Sequence, residues 1–159
     1  MPTLQVFLIG AAVFAFDRLT KAAAEAHLSS IGSYPVVPDI FHLTLVHNTG
    51  AAFGLFKNGT FLLALVTILC VGAIFALLNN SRWFSKFFSG PLDGWFLAAF
   101  GLIVGGGCGN LLDRLRYSYV IDFLDFRIWP VFNLADSAIT AGGIILFFKI
   151  CFPPRKAVA

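Results

Sequence analysis

From Asn58 to Ser81 the chain contains no Asp, Glu, Lys, Arg or His, and Phe61 to Leu78 within it is almost wholly apolar. A helix of roughly 20 such residues is what crosses about 30 Å of hydrocarbon with every backbone hydrogen bond made internally. A second window, Gly94 to Leu112, is bounded by Asp93 and Asp113. The first and last apolar runs are shorter between charges. Met1 to Phe16 stops at Asp17, and Ser137 to Phe148 lies between Asp136 and Lys149. To reach spanning length, each must take an aspartate in. The expectation is an all-α membrane protein, one integral-membrane domain over 1–159, with four transmembrane helices at about 3–24, 59–79, 93–113 and 132–152.

Composition agrees. Hydrophobic residues make up 58% of the chain and charged ones 12%, against about 25% charged in ordinary globular proteins. That excludes a disordered regulator. A formal net charge of +3 without a Lys/Arg run excludes a nucleic-acid partner. Cys70, Cys108 and Cys151 each lie within an apolar run, too scattered for a disulfide framework or a metal site, and read as small buried hydrophobes. A cleaved signal peptide would explain Leu4 to Phe16 followed by Ala22, Ala23 and Ala24. However, no Lys or Arg precedes the apolar run, and Asp17, Arg18 and Lys21 interrupt the approach to those alanines, so a retained first helix is expected.

The connections at about 29–57 and 115–131 each contain a strand-like stretch, Phe41 to His47 and Tyr117 to Phe123, which suggests a small β platform on one face of the bundle. Ser33-Tyr34-Pro35 and Pro38-Asp39 read as turns. Asn79 to Asp93 reads as an interfacial turn anchored by Trp83, Phe84, Phe87 and Phe88. With four crossings, the connections after helices 1 and 3 share one side. That side collects Asp17, Glu25, Asp39, Asp113, Asp122, Asp125 and Asp136, all of the 8 acidic residues except Asp93. The 11 Lys and Arg divide almost equally between the sides until Arg18, Lys21 and Arg114 are discounted as ion-pair partners of intramembrane aspartates. The remainder favours cytoplasmic termini and an extracytoplasmic acidic face.

A carboxylate within a transmembrane segment costs at least about 2.5 kcal/mol unless paired or wetted, so the aspartates on this face define a functional-site hypothesis. Asp17 and Lys21 are four residues apart on one helix face, which suits a buried pair that fixes packing. Asn110 and Asp113 share a face beside Arg114 and suit either a hydrogen-bonded scaffold or catalysis. On the last helix Asn133, Asp136, Ser137 and Thr140 form a polar stripe, and Asp136 has no cation within four residues. Asp122 is its natural partner. Two aspartates in a half-dry site cannot both ionise, so one keeps a proton while the other activates water. On the residues alone, hydrolysis and a proton-relay or packing role both stay open.

Other chemistries lack their residues. Glu25 is the sole Glu, and His27, His42 and His47 do not have zinc-ligand spacing, so no metal or other cofactor is expected. Gly105-Gly106-Gly107-Cys108-Gly109 is not followed by Lys-Ser/Thr, and Gly101, Gly105 and Gly109 at four-residue spacing give small-residue helix packing instead. No Ser/Lys pair is suggested by spacing.

Five segments, in order, resemble those of lipoprotein signal peptidase, also called signal peptidase II: Asp17-Arg18-Leu19-Thr20-Lys21, Asn48-Thr49-Gly50-Ala51-Ala52-Phe53, Gly109-Asn110-Leu111-Leu112-Asp113-Arg114, Val120-Ile121-Asp122-Phe123 and Phe132-Asn133-Leu134-Ala135-Asp136-Ser137. The resemblance implies a multi-pass aspartyl protease of the bacterial inner membrane with four spans, cytoplasmic termini and an active site near the outer leaflet. It implies Asp122 and Asp136 as the catalytic pair. Asn48, Asn110, Arg114 and Asn133 would line the site and position the substrate backbone, and Asp17, Lys21 and Asp113 would be structural polar anchors. The implied substrate is a diacylglyceryl-prolipoprotein, cleaved N-terminal to its lipidated cysteine, and the implied inhibitor is the cyclic peptide globomycin. A substrate held by membrane lipid presents its scissile bond at headgroup depth. The segment between Asp122 and Asp136 is shorter than in many relatives, which implies a reduced lid at Arg127-Ile128-Trp129-Pro130. The rival reading, a small transporter or channel subunit with an Asp-based proton path, would need polar residues through the full membrane depth. Phe61 to Leu78 offers only Thr67 and Cys70.

Overall fold

The protein is seen in a computed structural model, which describes residues 2–50, 59–88 and 91–153. Its elements are α1 (Pro2–Leu28), β1 (Ser33–Val37), β2 (Phe41–Asn48), α2 (Thr60–Asn79), α3 (Ser81–Phe87), α4 (Gly94–Tyr117), β3 (Val120–Asp125) and α5 (Leu134–Cys151). Among the described residues three helices are long and apolar enough to cross a membrane: α2, α4 and α5. α1 has 27 residues and therefore spans about 40 Å. Asp17, Arg18 and Lys21 lie toward its C-terminal end.

The glycines of α4 place that helix at the centre. A Cβ at Gly105 would come within 2.5 Å of the Gly10 carbonyl of α1, and one at Gly106 within 2.5 Å of the Ala135 carbonyl of α5. At Gly107 it would meet Thr67 of α2 at 3.2 Å. Successive residues point about 100° apart around a helix, so three consecutive glycines admit three different neighbours. The expected stripe of Gly101, Gly105 and Gly109 faces α1 throughout, against Ile9, Gly10 and Asp17.

Two ends result. At one, Phe84, Phe88, Phe96 and Phe100 form an aromatic cluster. Asp93 caps α4 by accepting the N–H groups of Trp95 and Phe96 and pairs with Lys149 of α5. The segment expected as a plain turn after α2 is helical here. Asn80 accepts the N–H groups of Arg82 and Trp83, and that cap starts α3.

At the other end the three strands form one antiparallel sheet in the order β1-β2-β3. Its third strand was not expected. Ser33-Tyr34-Pro35 is strand, and Pro35 is tolerated there because β1 is an edge. The chain reverses at Pro38 to Ile40, with Asp39 left-handed at φ 62°. Tyr117 also departs from the strand reading: α4 continues through it and ends on Ser118 at φ 65°, so β3 begins at Val120. Ala24 and Leu28 of α1 pack against Leu43, Leu45, Phe123 and Leu124, which fastens the sheet to the bundle. The outer edge of β3 is closed by Phe132, whose carbonyl accepts the N–H groups of Phe123 and Leu124.

Candidate active site

Asn133 begins the site. In extended conformation before α5, it accepts the Asp136 N–H on its side-chain oxygen at 2.9 Å, while Asp136 Oδ2 accepts the Asn133 N–H at 3.3 Å. This reciprocal cap sets the first turn of α5. It also decides which way the Asn133 amide faces. A backbone N–H can only donate, so the amide oxygen is turned to it and Nδ2 is turned to Asp122 Oδ1 at 2.7 Å.

The same logic orients two more amides. Lys21 Nζ can only donate, and it meets Asn110 Oδ1 at 2.8 Å, so Asn110 Nδ2 faces Asp136 Oδ1 at 2.7 Å. The Gly50 N–H meets Asn48 Oδ1 at 2.9 Å, so Asn48 Nδ2 faces Asp122 Oδ2 at 2.9 Å. Three asparagines, from β2, α4 and the start of α5, thus aim N–H donors at two carboxyl groups. Asn133 Nδ2 also lies 3.1 Å from Asn110 Oδ1, which joins the two halves.

Behind this layer lies a cluster of four charges. Arg18 contacts Asp17 and Asp113 at 2.6 Å each, and Lys21 contacts Asp17 at 3.1 Å and Asp113 at 2.8 Å. Asp17, Lys21 and Asp113 are buried, and the four formal charges cancel. An unpaired charge there would cost several kcal/mol. Asp17 also accepts the Ala135 N–H, and Asp113 the Ile121 N–H, so the cluster ties α1 and α4 to α5 and β3. Arg114, expected to share in pairing these aspartates, makes no ion pair among the described residues. It turns to the cavity and donates to the Asn110 carbonyl at 3.4 Å.

The cavity holds about 750 Å³. Asn48, Asn110, Arg114, Asp122 and Asp136 line it, with Ser137 and Thr140 continuing along α5. Asn133 does not reach it: fully buried, its amide serves Asp122, Asn110 and the α5 cap. Sequence reasoning missed the apolar walls. Phe126, Ile128, Trp129 and Pro130 line the cavity, so the short segment after β3 forms a wall despite its length. Asp125 anchors that segment. It accepts the Arg127 N–H at 2.8 Å, the Thr44 hydroxyl at 2.8 Å and the Arg127 guanidinium at 3.1 Å. Burial pushes its carboxyl up, but these bonds outweigh burial and hold it below the ordinary carboxylate range. Asp122, 1% exposed at the cavity floor, behaves oppositely: desolvation, then the neighbouring Asp136 charge, push its carboxyl up to about 7 despite the two asparagine donors. The Ala51-Ala52-Phe53 part of the Asn48 segment and Lys57 fall outside the described residues. The described residues contain no His, Cys, Asp and Glu group arranged to hold a metal ion.

The chain resembles known proteins over nearly all its length. The family model described as signal peptidase (SPase) II matches residues 9–152. A lipoprotein signal peptidase of Moorella thermoacetica is 44% identical over 154 residues, covering 96% of this chain and 95% of that protein. One from Halothermothrix orenii is 37% identical over 145 residues, covering 91% and 94%. In three dimensions a bacterial membrane enzyme solved by the in meso method superposes with a TM-score of 0.77 at 28% identity, covering 97% of this chain and 94% of that one. With the family model matching most of the chain and relatives of this identity spanning it, the chain belongs to the signal peptidase II family.

Proposed function

We propose that this bacterial membrane peptidase, which removes signal peptides from prolipoproteins, is an aspartic endopeptidase that uses Asp122 and Asp136 as its catalytic pair. The observation that carries the reading is the pair of carboxyl groups in one cavity, each facing asparagine N–H donors whose orientation is forced. Below about pH 7 the pair holds one shared proton, which we place on Asp122, where burial and the neighbouring Asp136 charge favour the neutral form. Asp136, in the first turn of α5 where the helix dipole favours negative charge, is the base. Asp136 takes a proton from water as the oxygen attacks the scissile carbonyl. Asp122 polarises that carbonyl and then gives its proton to the leaving amine, the proton Asp136 took from water restores the shared proton of the pair, and no acyl-enzyme forms.

The substrate is a diacylglyceryl-prolipoprotein cleaved N-terminal to the lipidated cysteine. Its extended backbone contacts Asn48, Asn110 and Arg114, while Asn133 acts through the two aspartates. Asp17, Lys21 and Asp113 are anchors. We read the chain as one domain with four spans, α1 joining α2, α4 and α5, with cytoplasmic termini and the sheet at the outer leaflet. A scissile bond at headgroup depth then meets a cavity that water also enters. Cleavage of a diacylglyceryl-prolipoprotein peptide by the purified protein, blocked by globomycin and lost in Asp136→Asn, is the expected result. Undiminished cleavage by a folded Asp136→Asn protein would overturn the mechanism.

A further inference from the structure

At the end of the bundle away from the aspartates, α3 divides its side chains into three stripes. Phe84 and Phe88 turn into the aromatic core. Trp83 and Phe87, one turn apart, face Ala73, Ala76 and Leu77 of α2 and with Phe88 enclose a cavity of about 380 Å³ with apolar walls. Arg82 and Lys86, also one turn apart, form the third stripe and are exposed. Trp83 and Phe87 remain 54% and 66% exposed, so these walls are open to their surroundings, and each follows directly on a member of the basic pair, which occupies the adjoining stripe of α3.

The charges at this end do not balance. Asp93 is the one acidic side chain there among the described residues, and it is occupied by Lys149 and by the first N–H groups of α4. Arg82 and Lys86 have no acidic partner among the described residues. An apolar slot bordered by two uncompensated cations matches a molecule with a hydrocarbon chain and an anionic head. A polypeptide segment would instead have to bring backbone polar groups against walls that offer nothing to pair them.

We propose that this cavity is a binding site for an anionic membrane phospholipid, with one acyl chain in the slot between α2 and α3 and the phosphate-bearing head against Arg82 and Lys86. The site touches none of the residues around Asp122 and Asp136, so it stands or falls independently of the catalytic reading. Each cation near an anionic head favours it about five-fold, so removing both should reduce a preference of about twenty-five-fold at most.

The test places the full-length chain, in a Trp95→Phe, Trp129→Phe background, in phosphatidylcholine bilayers. A small mole fraction of phosphatidylglycerol or phosphatidylcholine with brominated acyl chains is added, and quenching reports which lipid dwells beside Trp83. Brominated phosphatidylglycerol should quench at least about five-fold more effectively than brominated phosphatidylcholine, as expected for one engaged cation. Arg82→Gln/Lys86→Gln should abolish the difference. Ala76→Phe, which fills the slot from a partly exposed position on α2, should reduce quenching by both lipids. Equal quenching by the two lipids, a preference that survives in Arg82→Gln/Lys86→Gln, or crosslinking of Trp83 positions between two copies of the chain would overturn the proposal.

Discussion

Replacing Asp122 by Asn should stop hydrolysis and also reverse the order of stability between variant and parent as pH rises. Burial and the Asp136 charge push the Asp122 carboxyl from 3.8 to about 7. Between those values the folded chain retains a proton that the unfolded chain has released. Stability from this group is therefore lost as pH rises through that window, and the loss is complete above about 7. The gap between 3.8 and about 7 corresponds to about 4 kcal/mol at about 1.36 kcal/mol per pKa unit. Asn cannot ionise and avoids that loss. It does have one fewer acceptor for the converging Asn48 and Asn133 donors, at a cost of about 1–3 kcal/mol. At about pH 4 the variant should be less stable than the parent by about that amount; by about pH 5 the parent has already lost about 1.6 kcal/mol and the gap narrows, and by about pH 8 the variant should equal or exceed it. Reversible unfolding in mixed detergent micelles, followed by tryptophan fluorescence across this range, measures the crossing. Cleavage of a diacylglyceryl-prolipoprotein peptide by the same variant should fall by about 10²–10⁴. A stability difference that stays constant from about pH 5 to about pH 8 would refute the reasoning, because Asp122 would then titrate alike in both states.

The pH profile of kcat/KM should be bell-shaped, with an alkaline limb near 7, where the pair loses its shared proton, and an acid limb where the base is protonated; a single limb would refute the shared proton. Lys21→Met leaves Asp17 and Asp113 short of a cation and frees the Asn110 amide, so unfolding measurements should show a loss of about 3–5 kcal/mol and turnover should fall too. Asn48→Ala and Arg114→Ala should weaken peptide processing and globomycin binding together, as read by inhibitor titration of each variant. Gly105→Ala, whose Cβ would lie 2.5 Å from the Gly10 carbonyl, should destabilise by about 1–3 kcal/mol, whereas Gly72→Ala, with nothing within 4 Å, should stabilise by about 0.8–1 kcal/mol; thermal unfolding in detergent separates the two.

Much of this arrangement is legible without coordinates, because a membrane chain must place long apolar runs and isolated charges where the bilayer allows. The α2, α4 and α5 windows follow from hydrophobic length, and the collection of acids at one end follows from counting crossings. The four-residue glycine spacing already implied a helix-packing face, and the structure gives that face to α1. Asp17 with Lys21, and Asn133 with Asp136, are close in sequence on one helix, so their association is a local matter. Tertiary structure alone decided the rest. Arg18 rather than Arg114 completes the buried ion cluster because the long side chain of Arg18 reaches across to α4, while Arg114 turns to the cavity. Pro35 becomes strand because β1 is an outer edge, which depends on where β2 and β3 lie. Asn133 withdraws from the cavity wall because its amide meets partners 11 and 23 residues away. Most of all, the forced orientation of three asparagine amides arises from donors on three separate segments of the chain, Lys21 of α1, Gly50 after β2 and Asp136 of α5. Residue type states what each group can donate or accept, and only the packing of α1, α4, α5 and the sheet determines which partner it faces.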